Sequence, residues 1–301
     1  MTDISLSTMW SQKYTDMNEF VRDVFDYGFT HVELNASLTA KTLKALLTIE
    51  ALKISSIHSP CPNGPSSEGT KASSLSLSSL NEDERKEAVA FTKNTIELAS
   101  ELAVRVVVLH SGWAELNPDL EMNLRNMYEQ GIQNSSDFEN AKCTLVNARG
   151  FMVCPHIDAA KESLLELAGH ARSNGVQLAL ENRVHYYEIP NIDEMLDILS
   201  EFQPEVVGYW HDVGHAEIQA RTGFTPHDEW LMALKDRMIG VHLHDVQGIR
   251  DHQAPGLGDL DWNLIAENLP KGVIKVCEIG EWNDPKDTRQ VVSFLQSKGI
   301  L

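Results

Sequence analysis

The stretch Val176-Gln177-Leu178-Ala179-Leu180-Glu181-Asn182 is a short β-prone run that stops abruptly at a carboxylate and an amide. Before it, Asn174-Gly175 closes an amphipathic segment at 158–173; after it, another runs over 192–202 and stops before Pro204. The same pattern extends outward in both directions. β-type runs lie at 4–9, 31–35, 54–58, 105–110, 176–181, 206–211, 238–242 and 273–279. Helical segments fall between them at 16–27, 39–52, 81–102, 158–173, 192–202, 226–237, 262–269 and 285–298. Asn81 is a natural N-cap, followed by an acidic first turn. Strands alternating with helices require a parallel sheet, and eight such units in a chain longer than about 250 residues predict an α/β fold, a closed (β/α)8 TIM barrel. The surplus sequence lies at 61–80 and 115–156, as insertions after strands three and four, where a barrel builds its mouth. One domain spanning 1–301 is expected, with 115–156 as a polar insertion carrying short helices, a lid or an oligomer contact.

The 301 residues carry 44 Asp+Glu against 25 Lys+Arg, a formal net charge of −19. So acidic a chain is a poor partner for nucleic-acid backbones, whose affinity rests on Lys and Arg, but it suits divalent cations. No apolar run approaches the ~20 residues of a membrane-spanning helix. The opening Met1-Thr2-Asp3 shows no leader peptide, so a cytoplasmic protein is expected. Cys61, Cys143, Cys154 and Cys277 form no C-x-x-C pair and read as free thiols.

The informative positions are the strand ends. Strand two ends in Glu33-Leu34-Asn35, three in His58, four in His110 and five in Glu181-Asn182. Strand six ends in His211-Asp212, seven in His242-Leu243-His244-Asp245, and eight in Glu278. In a barrel these ends converge on one mouth. So many carboxylates repel one another unless a cation or shared protons neutralise them, so a metal site is expected. Carboxylates with imidazole and no thiolate suit Mn, Co, Zn, Mg or Fe(II).

The ordered motifs Leu178-Ala179-Leu180-Glu181-Asn182, Asp212-Val213-Gly214-His215-Ala216, Val241-His242-Leu243-His244-Asp245 and Glu278 resemble the xylose isomerase-like TIM-barrel superfamily. The loop Asp251-His252-Gln253-Ala254-Pro255-Gly256-Leu257-Gly258-Asp259-Leu260-Asp261 resembles that group's loop after strand seven, with Leu257 where a charged residue is frequent. The resemblance implies one divalent metal held by Glu181, Asp212, His242 and Glu278. It implies an isomerase or epimerase of a small sugar, keto-sugar or keto acid, with Glu181 and Glu278 moving a proton through a metal-stabilised enediolate. His215 would contact substrate. His58, His110, Glu33 and Arg250 are further candidates for the substrate, a small polyol or keto compound, with Arg183 an alternative cation. Trp10, Trp113 and Trp282 are candidate apolar walls. A homodimer or homotetramer is common in that group.

Two other chemistries fit the scaffold. One is a multi-metal phosphodiesterase like the superfamily's apurinic endonucleases, whose additional ligands His58, His110, His215 and Asp251 or His252 resemble. The charge and the short loop after strand two, with Lys41 its only basic residue, weigh against it. The other is a metal-dependent dehydratase of an inosose-type substrate.

Overall fold

The computed structural model describes residues 3–301. Met1 and Thr2, where the leader was sought, lie outside the described residues. Eight parallel strands close into a barrel: β1 Ser5–Ser7, β2 His31–Leu34, β3 Ile54–His58, β4 Val106–Leu109, β5 Gln177–Glu181, β6 Val207–Asp212, β7 Met238–Leu243 and β8 Ile274–Cys277. Neighbours in sequence are neighbours in the sheet, and β1 closes the ring by pairing with both β2 and β8. The register sets Glu33 beside Ser56, Glu181 beside Trp210 and Asp212 beside His242.

Period-two alternation sorts the side chains into two cores. Leu6, Val32, Leu34, Ile57, Val107, Leu109, Leu178, Leu180, Tyr209, Val241 and Leu243 belong to the main core, which includes helix residues such as Phe20, Ile96 and Leu164. Val106, Val108, Ala179, Trp210 and Val276 form a second cluster. Gly240 is required there, because a Cβ would lie 2.0 Å from the Trp210 ring. The alternating residues that continue this inner face toward the strand ends include Glu33, His58, Glu181, Asp212 and His242. The polar mouth is therefore the continuation of an apolar plug.

The helices follow their caps. Asn81 Oδ1 accepts from the N–H groups of Asp83 and Glu84 at the start of Glu82–Glu101, and Asn191 and Glu194 form a capping box at Ile192–Ser200. Four expectations change. The segments expected at 39–52 and 285–298 are shorter or broken: Ala40–Leu46 in the first case, Pro285–Thr288 and Val291–Ser297 in the second. The segment 213–221, not anticipated, is helical from Val213 to Arg221 because the Asp212 side chain caps it. The insertion 115–156 is not a separate appendage. It holds one helix, Asp119–Glu129, and the first half of the barrel helix, which runs from Ser136 to Ser173 for 38 residues.

Pro155 lies inside that helix yet does not end it. Proline deprives the carbonyl four residues back of its N–H donor, and here that residue is Phe151, 87% exposed, where water can serve. Two contacts moor the extension to the mouth. Arg149 holds Glu194 with two bonds of 2.6 Å and donates to the Glu188 carbonyl at 3.1 Å. His156 bonds the Ser78 carbonyl at 2.8 Å. Among the described residues no helix is long and apolar enough to cross a membrane.

Candidate active site

Glu181, Asp212, His242 and Glu278 are buried, and one potential ligand atom from each lies within 4.8 Å of every other. His242 Nδ1 is the hub, 3.1 Å from Glu181 Oε1, 3.3 Å from Glu278 Oε2 and 3.7 Å from Asp212 Oδ2. Its other nitrogen, Nε2, meets Glu33 Oε1 at 2.9 Å, and Ser56 Oγ donates to Glu33 Oε2 at 2.7 Å. Glu33 therefore sits behind His242, and the arrangement is a carboxylate orienting an imidazole whose free nitrogen faces three more carboxylates. This donor set fits a divalent cation: hard oxygens and one imidazole, all buried.

Without a cation, protons do that work. Burial opposes charge on His242, but Glu278, Glu33 and Glu181 outweigh it and raise its pKa well above the usual value. Burial likewise opposes ionisation of Glu278, yet His242 and His252 hold its carboxyl well below the usual range. The Nδ1 proton of His242 occupies the face a cation would take, so binding must expel it. Because His242 is protonated below its raised pKa, affinity for Mn2+ is expected to weaken as pH falls, by up to about tenfold per unit. Calorimetry in two buffers of different ionisation enthalpy should report net proton release on Mn2+ binding; buffer-independent heats would contradict it.

Two further clusters flank the centre. His58 Nε2, His110 Nε2 and Glu181 Oε2 lie 2.9–3.0 Å from one another. Arg183 Nη1 also donates to His110 Nε2, while Arg183 Nη2 holds Glu188 Oε1 at 2.7 Å. Burial, then Arg183, pushes His110 down to about 3, so it stays neutral. On the other side His215, His244 and His252 form an imidazole group. His244 and His252 stack with ring centroids 4.4 Å apart, and His244 Nε2 meets Asp212 Oδ1 at 2.9 Å. His252 has φ +54°, a left-handed backbone uncommon outside glycine, so its ring is aimed at a cost in strain.

The structure thus brings together Glu33, His58, His110, Glu181, Asp212, His215, His242 and Glu278. It does not bring Arg250, whose side chain is 77% exposed on the hairpin strand Arg250–Gln253, 4.0 Å from Glu129. A hairpin turns that residue outward, and the buried cation at the centre is Arg183. Trp10 is fully buried in the core, whereas Trp113 lines a cavity of about 180 Å3 beside His110 and Arg183, and Trp282 stays exposed near His252. His244, part of the strand-seven motif, lies just past the end of β7 and joins the centre through Asp212.

A family model described as the xylose isomerase-like TIM barrel matches residues 21–298. Among curated proteins, an uncharacterized protein of Methanocaldococcus jannaschii is 27% identical over 238 residues, 76% of this chain and 66% of its own length. A second from the same organism is 24% identical over 210 residues, 68% of this chain and again 66% of the relative. The match thus spans slightly less than two thirds of either relative. Among solved structures, a D-tagatose 3-epimerase-like protein superposes with a TM-score of 0.69 at 21% identity, covering 99% of this chain and 97% of that one. D-psicose 3-epimerase with D-tagatose, from Clostridium cellulolyticum H10, gives 0.66 at 17% identity over 100% of both chains. The IolI protein with a binding zinc atom gives 0.67 at 14% identity, covering 99% and 98%.

Proposed function

Since the chain belongs to the xylose isomerase-like TIM-barrel family, we propose that it is a divalent-cation-dependent isomerase or epimerase of a small sugar or keto acid. One observation carries this reading. Glu181 and Glu278 stand on different sides of the barrel mouth, yet both approach His242 Nδ1, at 3.1 and 3.3 Å. Two carboxylates facing one small space can take a proton from a carbon beside a carbonyl and return it to the neighbouring carbon or the opposite face. Glu181, Asp212, His242 and Glu278 would hold the cation, which supplies Lewis-acid stabilisation of charge on substrate oxygens. Glu33 fixes the His242 ring. His215, whose Nδ1 faces the Asn182 carbonyl at 3.0 Å, keeps Nε2 for a substrate hydroxyl. His110 and Arg183 offer polar contacts beside the cavity. The structural neighbours named as tagatose and psicose 3-epimerases favour a ketose.

A second reading, a multi-metal phosphodiesterase, is favoured by the two flanking clusters of potential ligands. Arg183 argues against it, because its guanidinium already occupies the His110 nitrogen that a second cation would need. Elemental analysis after loading with Mn2+, Co2+ or Zn2+ distinguishes them. About one metal per chain supports the isomerase or epimerase. About three per chain, with cleavage of abasic DNA, overturns it.

A further inference from the structure

Outside the barrel wall, a chain of buried polar groups runs from Glu217 to the back of the active site. His227 Nδ1 meets Glu217 Oε2 at 3.0 Å, and His227 Nε2 meets His211 Nε2 at 3.1 Å. His211 Nδ1 meets the Tyr209 hydroxyl at 2.7 Å, and that hydroxyl lies 3.0 Å from Asn182 Oδ1. Tyr209, His211, His227 and Asn182 are all buried.

The protons in this chain can be counted from the Asn182 end. Asn182 grips the Asp212 peptide with both halves of its amide: Oδ1 accepts from Asp212 N–H at 2.7 Å, and Nδ2 donates to the Asp212 carbonyl at 3.0 Å. Flipping the amide would lose both bonds, so Oδ1 faces Tyr209 and the hydroxyl must donate to it. Tyr209 oxygen then accepts from His211, which therefore carries its proton on Nδ1. His211 Nε2 and His227 Nε2 face each other, so one of the two carries the proton that joins the rings. His227 Nδ1 faces a carboxylate that His227 and Arg221 hold ionised against the effect of burial, so it too must donate. A contact in this chain that lacked its proton would leave two lone pairs facing each other inside the protein. The groups facing His227 are Glu217 from the preceding helix, with Arg221 behind it, and His211 from β6; Asp228 and Glu229 on its own helix are exposed.

We propose that this relay is a positioning device in which Tyr209 and His211 are the positioning residues that fix Asn182, the chain being anchored at its far end by His227 and Glu217. Through Asn182 they fix two parts of the site: the Asp212 backbone, and the ring of His215, held by the Asn182 carbonyl at 3.0 Å. The consequence for cation binding rests on the function proposed above; the proton arrangement does not.

The test uses metal-free protein labelled with 15N-histidine, followed by 1H–15N correlation from pH 6 to 8.5. His211 should carry a proton on Nδ1 throughout. A His211 without a proton on Nδ1 overturns the proposal. Tyr209→Phe removes the donor to Asn182 and should weaken Mn2+ binding about tenfold, as loss of outer supporting groups does. A merely structural role would lower the melting temperature and leave the Mn2+ Kd unchanged, which would overturn the positioning role. Should Tyr209→Phe not fold, His211→Leu serves: it removes the donor to the Tyr209 hydroxyl and should weaken Mn2+ binding, and an unchanged Kd would overturn the positioning role. Failure of the proposed function is separate, and shows as no Mn2+ binding by wild-type protein whose histidine spectrum is as described.

Discussion

Glu278→Gln is expected to lower kcat by about a thousandfold, within the range that a positioned acid or base supplies. Of the two carboxylates proposed to move the proton, Glu278 is the cleaner target. Glu181 lies 2.9–3.1 Å from nitrogens of His58, His110 and His242, so its loss would disturb two clusters at once. Glu278 contacts His242 Nδ1 at 3.3 Å and His252 Nε2 at 3.7 Å. Glutamine keeps its volume and one oxygen donor but cannot exchange a proton. Exchange of carbon-bound substrate hydrogen with solvent should disappear while bound metal stays near the wild-type level. Unchanged exchange would exclude Glu278 as a proton carrier.

Glu33→Leu is expected to weaken Mn2+ binding by about 10–100-fold, although Glu33 is not among the four groups that converge on the cation position. Its carboxylate is fully buried and takes one bond from His242 Nε2 and one from Ser56 Oγ. That bond holds the His242 proton on Nε2 and leaves Nδ1 facing Glu181, Asp212 and Glu278. Without it the ring can choose the other tautomer and turn its lone pair away. Glu33→Gln keeps an acceptor and should recover part of the affinity. Calorimetric titration checks both; wild-type affinity with a raised KM would place Glu33 against substrate instead.

Barrel and strand ends were legible because parallel strands in a closed ring bring their C-termini to one mouth, so Glu181, Asp212, His242 and Glu278 converge from anywhere in the sequence. Helix lengths were less so. The start of the helix Ser136–Ser173 was obscured by Pro155, which is tolerated where Phe151, the residue whose carbonyl it deprives of a donor, is exposed. Asp212 hid the next helix, since a residue read as a strand end is also its cap. Arg250 and Arg183 could not be ranked by local sequence. A hairpin carries the first outward, while Glu188, held by the backbone of His185, draws the second inward beside His110. The relay behind Asn182 was equally hidden. Tyr209 and His211 face outward on β6, and their partner His227 comes from the second helix after that strand.

The proton transfer itself is best tested by incubating the metal-loaded protein in D2O with ketoses, inososes and hydroxypyruvate, with Mn2+, Co2+ and Mg2+ in turn. Incorporation of deuterium at the carbon beside the carbonyl of at least one of them, lost in Glu278→Gln, is the expected result. Metal-replete protein that labels none of these compounds would contradict a two-glutamate proton transfer at this site.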